Sequence, residues 1–429
     1  MTPHARLSSV SRMSLSRAAR IAAAAVLTAA GAIAAVTISG APAGAAVPVP
    51  EKDPFYAVPA NIATYANGAV IASRSIAPSA FLLPLPAKAW QVKYRSTDGL
   101  GAPTADVTTI LVPLLPWTGT GARPLVSYQT AEDGVAGKCA PSYALRAGLT
   151  AASSNASAEM GLVLQLLLRG WAVTVPDYEG PQSEFLVAGQ EGNGVLDAVR
   201  ASLHFTPAGL SPSTKVALWG YSGGSLASDL AAQFQPTYAP ELHLTGVALG
   251  GFVADIHATI LDFSGSAFGG AIAMGVNGPM RGYPDLHLEN YLNDYGKKVV
   301  AAAAGDCIND AVARRPFLSI AQIEAYPGAF ESPLVRQLLT ENSPIGIEAN
   351  PQTVIYDYHA ILDELAPIGP DRAQMRRYCS AGLTVQHVEH LLGEHISETV
   401  TGAPGAIAFL AQRFAGATPI TTCATIPAP

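Results

Sequence analysis

Two apolar rhythms alternate along this chain. Residues 90–97 (WQVKYRST) and 105–112 (ADVTTILV) are strand-like runs divided by the turn-rich DGLGAPT, and they predict an antiparallel hairpin. Further strand-like runs lie at residues 124–128, 171–175, 215–219, 244–249, 352–356 and 383–388. Between them apolar residues recur three and four apart. Val195, Leu196, Val199 and Leu203 mark a helix over 191–205, and 162–168, 225–235 and 405–414 read as helices too. Strands alternating with helices predict an α/β fold, a mostly parallel central sheet with helices on both faces. The alternation stops between residues 251 and 350, where glycine clusters (SGSAFGGAIAMGVNG) mix with helical pieces such as 332–339. This stretch is expected to be an inserted, mainly helical cap between a first core part (46–250) and a second (351–429). Residues 46–85, rich in Pro and Ala, are expected to wrap the surface.

The first 45 residues break both rhythms. They hold Arg6, Arg12, Arg17 and Arg20 and no acid, then the apolar run IAAAAVLTAAGAIAAVT and a small-residue tail. That order predicts a secretory signal peptide cleaved near Ala45 or Ala46. Its removal, with those four arginines, takes the formal charge from −7 to −11. An acidic mature chain argues against nucleic acid as a partner. Of the 429 residues 49% are hydrophobic and only 13% charged, so the chain can bury a large core. The four cysteines, Cys139, Cys307, Cys379 and Cys423, predict two disulfides with three pairings open. No C-x-x-C pair points to a metal, and neither metal nor organic cofactor is expected.

One stretch carries chemistry. VALWGYSGGS runs from a strand through Gly220-Tyr221-Ser222-Gly223-Gly224 into a helix. A strand that turns at once into a helix is cramped, so small neighbours are required and the apex side chain projects outward. This is the G-x-S-x-G nucleophile elbow. A serine hydroxyl needs a base to take its proton and a carboxylate to orient that base, here in the order Ser, acid, His. His395, in the loop beyond the last strand, is the favoured base; His390 is second, and His387 lies in the strand. For the acid, TVIYDYHAILDELAP offers Asp357, Asp363 and Glu364. Asp363, past the strand end, is favoured over Asp357, which closes the strand. An oxyanion hole would take the Gly223 N–H and a donor from the loop after residues 124–128.

Several motifs in order make the chain resemble the secretory lipase family typified by Candida antarctica lipase A: SYQTAEDG followed by CAPSY, DYEG at Asp177–Gly180, KVALWGYSGGS, YAPEL at Tyr238–Leu242, HAILDELAP and GEH. The resemblance runs from about residue 90 onward. It implies an α/β-hydrolase core with a large cap, Ser222, Asp363 and His395 as a catalytic triad, and Asp133 beside Gly223 in the oxyanion hole. It also implies the pairings Cys139–Cys307 and Cys379–Cys423. The activity implied is that of a secreted serine lipase acting on acyl lipids, triacylglycerols first, with transient contact at a lipid interface. Its rivals are a carboxylesterase, an acyltransferase, a peptidase and a non-catalytic lipid-binding envelope protein. The cap departs from the family pattern, so the family's acyl tunnel and chain-length preference are not carried over. With little chain after Cys423, the C-terminal flap of the yeast protein is expected to be missing.

Overall fold

The computed structural model describes residues 47–80 and 83–429. The expected leader, with its cleavage point, lies outside the described residues. Nine strands form one sheet: β1 (Val70–Ile76), β2 (Ala87–Thr97), β3 (Pro103–Pro113), β4 (Leu125–Gln129), β5 (Ala172–Pro176), β6 (Val216–Tyr221), β7 (Leu244–Gly250), β8 (Val354–Ala360) and β9 (Thr384–His390). Their spatial order is β1-β2-β3-β5-β4-β6-β7-β8-β9. β1, β2, β3 and β5 pair antiparallel in turn, and from β5 to β9 every pair is parallel.

Residues of one strand alternate between two cores, as the pleat requires. Val126, Tyr128, Ala217, Trp219 and Tyr356 pack with the helices Asn155–Leu168 and Ala403–Ala415. Leu125, Leu218, Leu249, Ile355 and Val385 pack on the other face with Ala188–His204, Gly223–Tyr238 and Ile368–Ser380. Both faces are therefore dry, which is why the central strands read as near-continuous apolar runs. Trp219 is fully buried, meets Tyr128 edge-on at 5.1 Å, and donates its indole N–H to Tyr358 Oη at 3.2 Å. An aromatic pair of this kind contributes roughly 0.5–1.5 kcal/mol beyond its buried area.

Two expectations need correction. Residues 46–85 do more than wrap the surface, because β1 closes the sheet edge against β2. Its VIASRSI has polar residues midway, and the backbone partners that β2 offers outweigh that weak pattern. β8 runs on to Ala360, so Asp357 lies inside the strand rather than at its end. Among the described residues, the stretch between β7 and β8 holds helices and no strand: Ile256–Phe263, Gly270–Gly282, Asp294–Ala303, Ile308–Arg314, Ile320–Ile323 and Pro333–Glu341. Ile260, Ile272, Val300, Leu318 and Leu339 form its core, which also takes in Leu226 and Leu230 of the helix that follows Ser222. The cystines are Cys139–Cys307 and Cys379–Cys423. No helix among the described residues is long and apolar enough to cross a membrane.

Candidate active site

β6 ends at Tyr221, and Ser222 stands alone before the helix Gly223–Tyr238. Its φ of 54° and ψ of −125° hold it where side chains rarely go, at a cost of about 1–3 kcal/mol. The N–H of Ser222 donates to Gly250 O at 2.9 Å, and the Ser222 carbonyl accepts from Ser225 and Leu226, so strand and helix share the turn. The three glycines have steric reasons. A methyl on Gly220 would strike the Gly224 carbonyl, one on Gly224 the Gln129 carbonyl, and one on Gly223 the Asp133 carboxyl. The loop after β4 is thus pressed against the elbow.

His395 opens the helix His395–Thr401, whose preceding residue Glu394 caps it by accepting from the N–H groups of Ile396 and Ser397. Its Nδ1 lies 2.7 Å from Asp363 Oδ2 and its Nε2 lies 2.8 Å from Ser222 Oγ. The carboxylate only accepts, so Nδ1 carries the proton and Nε2 is free to accept from the hydroxyl. Glu364 accepts from the His395 N–H, and Tyr221 Oη donates to the His395 carbonyl. Asp363 is buried and also accepts from Leu365 and Ala366 N–H. Burial pushes its carboxyl up, but the bond from His395 and the nearby histidine charges outweigh it and hold it below the ordinary range.

The alternatives sit elsewhere. His390 Nδ1 pairs with Glu398 at 2.5 Å. His387 and Asp357 face each other across the β8–β9 register and bond at 2.5 Å, without reaching the serine.

Asp133 has a positive φ of 36°, and its carbonyl accepts from Ile308 N–H at 2.9 Å. Gly223, first in its helix, has an N–H with no intrahelical acceptor. Burial pushes the Asp133 carboxyl up to about 6, with the charge of His395 pulling the other way. Buried polar groups hold this loop. Glu159 accepts from Ala131 N–H at 2.8 Å and from Tyr128 Oη at 2.6 Å. The DYEG motif supplies most of the rest: Tyr178 Oη accepts from Glu132 N–H and donates to the Thr130 carbonyl, and Glu179 accepts from Gly134 N–H. Val135 N–H donates to Asp306 O, and the nearby Cys139–Cys307 cystine ties the loop to the helical stretch. Glu159 escaped the sequence reading because its role depends on a partner 28 residues away. DYEG was visible as a motif, and only the fold shows what it holds.

Ser222, Gly223, Asp133 and His395 open into a cavity of about 550 Å³. Its other walls are mainly apolar, among them Leu162, Phe185, Ile256, Phe263 and Phe268. On the rim, Ile396 and Val400 line the cavity and are also exposed. Ile361 N–H donates to the His390 carbonyl, and the residues that follow on the two segments, Leu362, Leu391 and Leu392, are exposed, the last two by 76% and 87%.

Sheet order, the strained serine turn and a helical insertion between β7 and β8 define an α/β-hydrolase. The model of the secretory lipase family matches residues 145–422, and the chain belongs to that family. Lipase 2 of Candida albicans is 36% identical over 389 residues, which is 87% of this chain and 82% of that protein. A probable inactive lipase of Mycobacterium tuberculosis is 34% identical over 373 residues, 86% of this chain and 83% of that one. The structure of Candida antarctica lipase A in its closed state matches with a TM-score of 0.80 at 30% identity, covering 90% of both chains. The chain is a lipase, a hydrolase of carboxylic esters.

Proposed function

We propose that the chain is a secreted serine lipase that opens acyl esters of lipids, triacylglycerols first, through an acyl-enzyme. The observation that carries this reading is the Ser222–His395–Asp363 chain of contacts, 2.8 and 2.7 Å long, on the wall of an apolar cavity. His395 Nε2 takes the proton of Ser222 as Oγ attacks the ester carbonyl. Asp363 keeps the imidazole oriented and stabilises its charged form. The Gly223 N–H and a donor from Asp133 hold the oxyanion; losing one such donor typically costs about 3 kcal/mol of barrier. The protonated imidazole returns its proton to the leaving alcohol, and water then releases the fatty acid by the same steps in reverse roles. The basic, apolar leader and the family's secretory character support export. The apolar walls favour long acyl chains over short ones.

A fluorophosphonate probe tests the serine. The wild-type protein should be labelled and Ser222→Ala should not, with kcat falling by about 10⁶. Hydrolysis of short soluble esters in preference to emulsified long-chain triacylglycerol would make it a carboxylesterase instead. The same probe addresses the rival reading of a non-catalytic lipid binder; one relative of similar identity is named a probable inactive lipase. Absence of labelling in the folded wild-type protein would overturn the serine mechanism.

A further inference from the structure

Behind the loop that carries Asp363, β8, β9 and the helix Ile368–Ser380 enclose a second set of ionisable groups. Parallel register sets Asp357 opposite His387 and His359 opposite Glu389. Asp371 comes from the first turn of the helix. Asp357, His359 and Asp371 have no exposed surface, and His387 is buried too.

The two imidazoles are oriented by their outer nitrogens. His359 Nε2 lies 2.8 Å from the Ala366 carbonyl, which only accepts, so Nε2 carries the proton. With that proton on Nε2, Nδ1 is the lone-pair nitrogen of the neutral ring. It faces Asp371 Oδ2 at 3.4 Å, too far for a good hydrogen bond. His387 Nε2 lies 2.9 Å from Glu389 Oε1, and Arg372 grips both oxygens of that carboxylate at 2.7 and 2.8 Å. His387 Nδ1 points inward, 2.5 Å from Asp357 Oδ2 and 3.8 Å from Asp371 Oδ2. Among the described residues, no hydrogen-bond partner reaches Asp357 Oδ1, either oxygen of Asp371, or His359 Nδ1, all of them buried. A buried polar atom left alone costs about 1–3 kcal/mol, so four gathered in one place call for a cation or polar guest among them.

We propose that Asp357, Asp371 and His387, with His359 as the fourth donor, form a closed structural site for a zinc-class divalent cation. The ligand atoms of the first three lie within 4.8 Å of one another; His359 Nδ1 lies outside that set, 3.4 Å from Asp371 Oδ2, and would move in to complete the shell. Two nitrogens and two oxygens suit tetrahedral zinc, whereas calcium and magnesium prefer oxygen alone. Each imidazole gives its other N–H to an acceptor, Ala366 O or Glu389, the arrangement that orients metal-ligating histidines. Charge closes as well: two carboxylates offset a dication, and Arg372 offsets Glu389. The cation takes the place of the proton between His387 and Asp357, and those two ligands move apart to admit it. His359 Nε2 also stands 3.4 Å from Asp363 Oδ2. The ion would therefore brace the loop that presents Asp363, a positioning and stabilising role that stands whether or not Ser222 is a nucleophile.

Metal analysis of the purified protein tests this. About one zinc per chain is expected. Dipicolinate should strip it and lower Tm by several degrees, Zn²⁺ alone should restore both, and Co²⁺ in its place should show the visible bands of a tetrahedral ion. Asp371→Asn and His387→Gln should lose the bound metal. Protein that takes up neither Zn²⁺ nor Co²⁺, and whose Tm ignores the chelator, would overturn the proposal in favour of a proton and water network. So would full zinc content in Asp371→Asn. Should the variants fail to fold, the chelator shift and the Co²⁺ spectrum of the wild-type protein decide alone.

Discussion

Two histidine–aspartate pairs draw on the same two neighbouring strands, one inside them and one on the loops beyond their ends, and their surroundings differ. In both, Nδ1 meets an aspartate, Asp363 for His395 and Asp357 for His387. The difference lies at the other ring nitrogen. His395 Nε2 faces a hydroxyl at the cavity wall, whereas His387 Nε2 faces the carboxylate of Glu389. Burial works against charge on His387, yet Asp357, Asp371 and Glu389 overcome it and hold its pKa up at about 10. A ring that keeps its proton to that pH is no base at neutrality. A ring between a carboxylate and a hydroxyl is free to accept one. On the proposed mechanism the pairing motif alone does not make a catalytic dyad; the third partner decides.

The comparison breaks first at the aspartates. Asp363→Asn should lower kcat by about 10⁴, since the wrong tautomer then faces Ser222. Asp357→Asn should instead appear in melting curves. Removing one member of a buried charged pair costs about 3–5 kcal/mol, and the fall in kcat per folded molecule should be at least about a hundredfold smaller than for Asp363→Asn. Equal kinetic losses would erase the distinction.

A milder test concerns what surrounds each pair. Exposed Ile396 and Val400 line the cavity that His395 opens into, and exposed Leu391 and Leu392 lie in the same loop, just after β9. Replacing Leu391 and Leu392 by Asp removes two side chains each worth about 1.5–3 kcal/mol on burial in lipid. Turnover of emulsified triacylglycerol should fall about tenfold or more, with a soluble short-chain ester hydrolysed as before. A parallel loss on the soluble ester would mean that the leucines shape the site rather than dock it.

The smallest effect separates the loop beside the elbow from both pairs. Burial pushes Asp133 up to about 6, Asp177 to about 7, and Glu159 and Glu191 to about 8. An unfolded carboxyl titrates near 4. Between pH 4 and 8 the unfolded chain therefore sheds protons that the folded chain keeps, and stability falls as pH rises through that window. Tm should increase by several degrees from pH 8 to pH 5. Below about pH 4 the gain stops and the trend reverses, because Asp363 and Glu389 are held below their ordinary values and lose that stabilisation on protonation. A Tm that is flat from pH 5 to 8 would refute the assignment.

Much was legible before folding because it is local. The turn around Ser222 follows from the bulk of backbone atoms within a few residues of it, and the paired apolar rhythms follow from side chains that must face two dry surfaces. Gly220 and Gly224 could be read as necessary, although the Gln129 carbonyl that excludes a methyl from Gly224 lies on another strand. The same short range limited the reading of DYEG, a motif whose hydrogen bonds end on a loop more than forty residues earlier.

What the tertiary structure alone decided is partnership. The C-terminal segment offers four histidines, His359, His387, His390 and His395, and seven carboxylates, Asp357, Asp363, Glu364, Asp371, Glu389, Glu394 and Glu398, and composition treats them alike. Strand register sets His387 against Asp357; the ends of two neighbouring strands bring His395 to Asp363 and, across 173 residues, to Ser222. Those distances are set by how a twisted sheet stacks and where its loops leave it, a sum of contacts spread over the whole core, so no short window of sequence contains them.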